Sequence, residues 1–213
     1  MSAYLADVAA LARKDLLVEL RTRDTVPSML LFVVAALVVF HFALPAESSE
    51  LAASGMLWIA LLFTALLALV RAFVSEREQA TLDALVLAPC DRSAIWLGKT
   101  LSVLAFLLLA EAVAVPAFGL FYEAVTWELV AGLALANVGI AAVGTLLGAM
   151  AAAARTRELL LPLLFLPVAI PLVVGGVGAT VSADSGRYLA FLGLYDLIFA
   201  ILSWASFEYV VTE

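Results

Sequence analysis

The sequence predicts an all-α integral membrane protein: six transmembrane helices, an N-terminal interfacial amphipathic helix, and a short cytoplasmic helix between the second and third spans. Three observations predict it. Of the 213 residues, 66% are apolar and the mean hydropathy is +1.15, too apolar for a soluble domain of this size. The apolar residues gather into six runs, each near the roughly 20 residues that a helix needs to cross a hydrocarbon core about 30 Å thick. Basic residues crowd the connections on one side only.

The runs are 27–45, 51–70, 100–122, 129–154, 159–181 and 188–211, and together residues 1–213 read as one membrane domain. Helices are expected because lipid offers backbone polar groups no outside partner. With the N-terminus inside, the inner segments hold Arg13, Lys14, Arg21, Arg23, Arg71, Arg77, Arg92, Lys99, Arg155 and Arg157, ten of the eleven basic residues; only Arg187 falls outside. The outer loops carry Glu47, Glu50, Glu123, Glu128 and Asp184 instead. This bias places both termini in the cytoplasm. Residues 1–26 are charged throughout, so no cleavable signal peptide is expected and the first apolar run should remain as an anchor.

Taking the elements in order, Leu5, Val8, Ala9, Ala12, Leu16 and Leu20 recur at spacings of three and four, the pattern of an amphipathic helix lying along the inner interface. Asp7, Lys14 and Arg21 fall elsewhere on its wheel. The fourth span is rich in small residues, and Gly144-x-x-x-Gly148 allows a helix to approach closely, within the subunit or between subunits. The fifth carries Pro162, Pro167 and Pro171 before Gly175, Gly176 and Gly178. Proline removes a backbone donor and clashes with the preceding turn, so this helix should be kinked or broken, either as a static kink or as part of a moving pathway.

The polar island Arg71–Lys99, between the second and third spans, concentrates charges that are sparse elsewhere. Ser75-Glu76-Arg77-Glu78 fits a capping box that opens a short helix running to about Leu87 and stopping before Pro89. Leu82, Leu85 and Val86 share one face, while Glu78, Gln79 and Asp83 stay wet. Asp91 can cap the helix that leads through Ile95 and Trp96 into the membrane. A short amphipathic helix projecting from the bundle suits insertion into a partner's groove; a solvated hairpin resting on lipid is the bland alternative.

Several function classes are disfavoured. The net charge of -7 argues against nucleic-acid binding. One cysteine, Cys90, allows no internal disulfide, and with His41 the lone histidine no Cys/His metal cluster or nucleophilic triad is credible. Gly98-Lys99-Thr100 resembles the end of a phosphate-binding loop, but Ser93 stands where that loop needs glycine and no strand precedes it. The chain is therefore expected to bind no ATP, no metal and no cofactor of its own. Glu111, near the middle of the third span, and Asp196, in the outer half of the sixth, are costly in lipid and should face the bundle or a wet cavity. Glu111 is expected to be protonated or hydrogen-bonded across helices, in a structural role or in gating.

The pattern Glu78-x-x-Thr81-Leu82-x-x-Leu85-x-Leu87-x-Pro89, followed by Ile95-x-x-Gly98-Lys99, resembles the first cytoplasmic loop of export-type ABC permeases. More narrowly, Gly55-Met-Leu-Trp58-Ile-Ala, Leu66-Leu-Ala-Leu-Val-Arg71-Ala-Phe73 and Leu166-Pro167-Val-Ala-Ile-Pro171-Leu resemble the CcmB family, the permease subunit of the cytochrome c maturation complex, across essentially the whole chain. Ala80 stands where that family often has glycine. The resemblance implies a non-enzymatic subunit of the inner membrane whose loop couples to a separate ATPase of the CcmA type through Glu76, Glu78, Thr81, Leu82, Asp83, Leu85 and Pro89. It implies a homodimer, neighbours of the CcmC, CcmD and CcmE types, ATP on the partner, and haem handled by the complex through export or release of a haem-loaded chaperone. Glu111, Pro167, Pro171 and Asp196 are the candidates for a pathway or gate. The alternatives are an ABC-2 exporter of lipid, polysaccharide or drug, an ATP-independent carrier using Glu111 and Asp196, and a passive scaffold.

Overall fold

The computed structural model describes residues 2–43, 50–78, 90–122, 125–153 and 159–212. Among the described residues the chain forms seven helices and no strand: α1 (Ser2–Thr22), α2 (Thr25–Ala43), α3 (Glu50–Glu78), α4 (Arg92–Phe121), α5 (Trp127–Ala153), α6 (Leu160–Val181) and α7 (Ser185–Thr212). Helices α2 to α7 are long and apolar enough to cross a membrane, which makes this a multi-pass membrane protein. Each apolar run becomes one helix.

Six crossings return the chain to the end where it began. Arg92, opening α4, accordingly lies 3.8 Å from Glu208 near the close of α7. This end of the bundle, which also holds α1, is called the basic end below. Helix α3 has 29 residues and α4 has 30, about 43 and 45 Å at 1.5 Å per residue. Both outrun a hydrocarbon core about 30 Å thick, and they extend on either side of the connection 79–91.

The hub is α5, which packs against α3, α4, α6 and α7. Its small residues permit this. A Cβ on Gly144 would overlap the Leu69 side chain, and one on Gly148 would overlap the Phe73 ring. The Gly-x-x-x-Gly groove is therefore filled from within the subunit, by two α3 residues four apart that project from one helix face. At the opposite end Trp58 of α3 lies against Gly132 and Gly176, and its indole N–H donates to Thr180 Oγ1 at 3.3 Å.

Two expectations are corrected. Helix α6 is not broken: it runs unbroken from Leu160 to Val181 with Pro167 and Pro171 inside. Pro162 sits in the first turn, where a missing N–H costs nothing. Pro171 leaves the Pro167 carbonyl without its helical donor, and the Tyr195 hydroxyl donates to the adjacent Val168 carbonyl at 2.7 Å. Packing against α5 and α7 thus holds the helix together. Nor does Ser75 open a helix. It lies inside α3, which continues to Glu78. An N-cap needs non-helical backbone, whereas extending an existing helix adds one hydrogen bond per residue fixed.

Candidate functional site

The connection between α3 and α4 is the longest polar stretch of the chain, and its two stems can be built residue by residue. On the α4 side Asp91 has extended backbone, and its carboxylate accepts from the Ser93 amide at 2.8 Å and the Ser93 hydroxyl at 2.7 Å. It is the N-cap that the sequence indicated. These hydrogen bonds, the side-chain one first, hold the Asp91 carboxyl below its ordinary range. From this cap α4 runs straight into the apolar bundle.

Helix α1 packs mainly on the first turns of α4. The closest approach is at Gly98, where a Cβ would come within 2.8 Å of Leu11 Cβ and 3.2 Å of the Val8 carbonyl. Glycine is needed here because the two backbones nearly touch. One turn nearer the cap, the Tyr4 and Ser93 hydroxyls meet at 3.1 Å. Beside Gly98, the Lys99 ammonium donates to Asp15 Oδ2 at 2.9 Å. Lys99 is only 8% exposed and Asp15 13%. The opposite side of α1 leaves Leu5, Leu16 and Leu20 exposed, as befits a helix half in lipid.

The exit from α1 is equally specific. Arg23 adopts φ 55, and its amide donates to the Glu19 carbonyl at 2.8 Å, a left-handed helix stop. The buried Glu19 carboxylate then accepts from the Thr25 amide at 3.0 Å and the Val26 amide at 2.7 Å. It caps α2, where the helix dipole favours an anion. One acidic residue therefore fixes the elbow between the interfacial helix and the first span.

On the α3 side the connection begins beyond Phe73, which is buried against Gly148 of α5. The Lys99 ammonium lies 5.6 Å from the centroid of the Phe73 ring, within range of a cation–π contact. Lys99 thus touches both α1 and α3 from α4. Of the residues expected to meet an ATPase, Glu76 and Glu78 belong to the last turn of α3. Thr81, Leu82, Asp83, Leu85 and Pro89 lie outside the described residues, as does the helix expected to end near Leu87.

The intramembrane acids occupy opposite sides of α5. The Asn137 amide donates to Glu111 Oε2 at 2.8 Å, joining α5 to α4. Both line a cavity of about 20 Å³ with Trp58, Thr64, Leu107 and Leu172, room for one water molecule. Asp196 of α7 is buried against Gly139 and has no hydrogen-bond partner among the described residues. Asn137 and Gly139 are two residues apart, about 200° around the helix, so α5 separates the two carboxyl groups. Pro167 is exposed and Pro171 half-buried, and neither lines the Glu111 cavity. The four pathway candidates are therefore not gathered into one site. His41 is exposed at the far end of α2, its ring 5.1 Å from Phe121 and 5.7 Å from Tyr122.

Sequence reasoning read Lys99 as a border residue and overlooked Asp15, Glu19 and Asn137. A polar residue in an apolar span signals Asn137. Asp15 and Glu19 are four apart, on one side of α1.

Six apolar helices, one of them a glycine-grooved hub, with a further helix bracing the stems of one polar connection, define a polytopic helical membrane protein. The family of CcmB protein matches residues 6–207. "Heme exporter protein B" of Paracoccus denitrificans is 31% identical, over 93% of this chain and 94% of its own. The proteins of that name from Rhodobacter capsulatus and Bradyrhizobium diazoefficiens are 30% and 28% identical, over 78% and 84% of this chain and 79% and 83% of theirs. The chain belongs to the CcmB family.

Proposed function

We propose that this chain is the permease subunit of an ABC-type complex for cytochrome c maturation, and that it transmits the motion of a separate CcmA-like ATPase across the membrane. The observation that carries this reading is the family match, which spans the polar connection and all six apolar helices. Haem is the cargo that the relatives' name indicates, exported directly or released on a loaded chaperone. The ATP resides on the partner. This chain is a non-catalytic subunit that works as a homodimer beside CcmC-, CcmD- and CcmE-like proteins.

The distribution of basic residues, ten of eleven on one side, supports an inner-membrane protein with both termini in the cytoplasm. The basic end is then the cytoplasmic end, and the connection 79–91 faces the ATPase. Leu82 and Leu85 supply the buried anchor there, with Glu78 and Asp83 as orienting charges. Closure of two ATPase chains pushes this segment. Because α3 and α4 outrun the membrane core on either side of it, the push tilts two rigid rods whose far ends lie in the bundle.

Leu82→Asp and Leu85→Asp test the reading. Each places a charge in the apolar anchor while leaving the six spans untouched. The expected result is loss of ATPase copurification with normal membrane insertion. Copurification at the level of the unaltered chain would overturn the assignment of this segment.

A further inference from the structure

Lysine at the edge of a membrane span ordinarily extends its ammonium into the headgroup water. Lys99 does not. It is 8% exposed and turned inward to Asp15 of α1, with the Phe73 ring 5.6 Å away. Phe73 and Lys99 stand in the two stems of the same connection, five residues before the end of α3 at Glu78 and seven after the start of α4 at Arg92. A buried ion pair contributes little net stability compared with a well-packed apolar pair, so its distinctive property is to specify which surfaces meet and in what register. The Tyr4–Ser93 hydroxyl contact at 3.1 Å and the seat of Leu11 on Gly98 also join α1 to α4, but it is Lys99 that also faces Phe73 in the other stem, while Leu5 and Leu20 are left exposed on α1.

We propose that Lys99 is a positioning residue that locks α1 to both stems of the 79–91 connection, so that α1 is a working part of the transmission. The inference rests on the reading that an ATPase acts on this connection. A push there moves α4, and Lys99 carries α1 with it through Asp15. The carboxylate of Glu19, holding the Thr25 and Val26 amides, passes the motion on to α2. Phe73, seated against Gly148, links the same point to α3 and the hub. Lys99 itself joins three helices, α4, α1 and α3, and Glu19 and Phe73 extend the linkage to α2 and α5. Asp15 also pairs with Lys14 at 3.0 Å, so replacing Lys99 does not strip that carboxylate of every counter-ion.

The test uses the full complex purified from native membranes, in a Cys90→Ser background with spin labels at Leu5→Cys and Leu101→Cys, both exposed positions on α1 and α4. With labelled chains diluted by unlabelled ones so that only the pair within one chain is read, the unaltered pair should give one narrow distance that shifts when ATP is added. Lys99→Met should keep the ATPase in the complex, broaden the distance, abolish its ATP-driven shift and lower cytochrome c maturation at least tenfold. Lys99→Arg should retain the narrow distance, and the exchanged pair Asp15→Lys with Lys99→Asp should restore it, a rescue that simple loss of packing would not show. Asp15→Asn serves as the second disruptive variant if Lys99→Met does not insert. A narrow distance in Lys99→Met overturns the lock. A broad distance with undiminished maturation overturns the transmitting role. An unaltered chain that brings down no ATPase overturns the underlying reading instead, while the label distances still decide the lock.

Discussion

Gly148 offers the sharpest test of how the hub is packed. A methyl group placed there overlaps Cδ2 and Cε2 of Phe73 and approaches Cζ to 2.9 Å. The ring cannot yield easily, because Phe73 is 5% exposed and has Lys99 on another side. Overpacking of this kind costs about 1–3 kcal/mol. Alanine also removes glycine's helix penalty, a gain of about 0.5–1 kcal/mol. The net expectation for Gly148→Ala is a loss of about 0–2.5 kcal/mol. Gly193 of α7 is the matched control: among the described residues, nothing outside its own stretch of helix backbone lies within 4 Å of its added Cβ, so Gly193→Ala should show the gain alone. The two variants should therefore differ by about 1–3 kcal/mol, roughly 5- to 150-fold in the folded ratio. Denaturant unfolding of the purified chain in detergent measures this. Trimming the ring with Phe73→Leu in the Gly148→Ala background should recover most of the loss, a pairwise coupling of about 0.5–3 kcal/mol. Equal stability of Gly148→Ala and Gly193→Ala would refute the packing argument.

Three further outcomes are expected. Glu19→Ala should cost about 0.5–2 kcal/mol and speed hydrogen exchange at the Thr25 and Val26 amides; unchanged exchange would show that the α2 cap is held otherwise. Asn137→Leu should cost about 0.6–1.7 kcal/mol, the range of interhelical hydrogen bonds in membranes, whereas Glu111→Gln, which keeps an acceptor for Asn137, should preserve both stability and cytochrome c maturation; loss of maturation on Glu111→Gln would favour a carrier mechanism. Asp196→Asn should change stability by less than about 1 kcal/mol, because it exchanges one buried polar group with no partner among the described residues for another of the same shape; clear destabilisation in unfolding experiments would show that the carboxyl group has a partner that the amide cannot replace.

The spans were legible because the constraint behind them is one-dimensional. Lipid demands about 20 apolar residues in a row, and the six runs from Pro27 to Val211 supply them. Asp91 was legible for a related reason, since a cap is a local matter of side chain and backbone. Ser75 satisfied the same local pattern but lost to α3, which was already propagating through it. Pro167 and Pro171 signalled a kinked or broken helix, yet α6 runs unbroken through both, packed against α5 and α7. What sequence could not supply was pairing across the chain. Lys99 and Asp15 are 84 residues apart and Asn137 and Glu111 are 26 apart, and no periodicity marks either pair. The family resemblance reached further because it carries such pairings implicitly, and it was borne out by the match over residues 6–207.

The central claim is that this chain passes ATPase motion across the membrane within a cytochrome c maturation complex. Its most direct test is purification of the tagged, unaltered chain from native membranes in mild detergent, with every copurifying protein identified. The account predicts an ABC ATPase together with a CcmC-like protein. Recovery of the intact chain with no ATPase would contradict it.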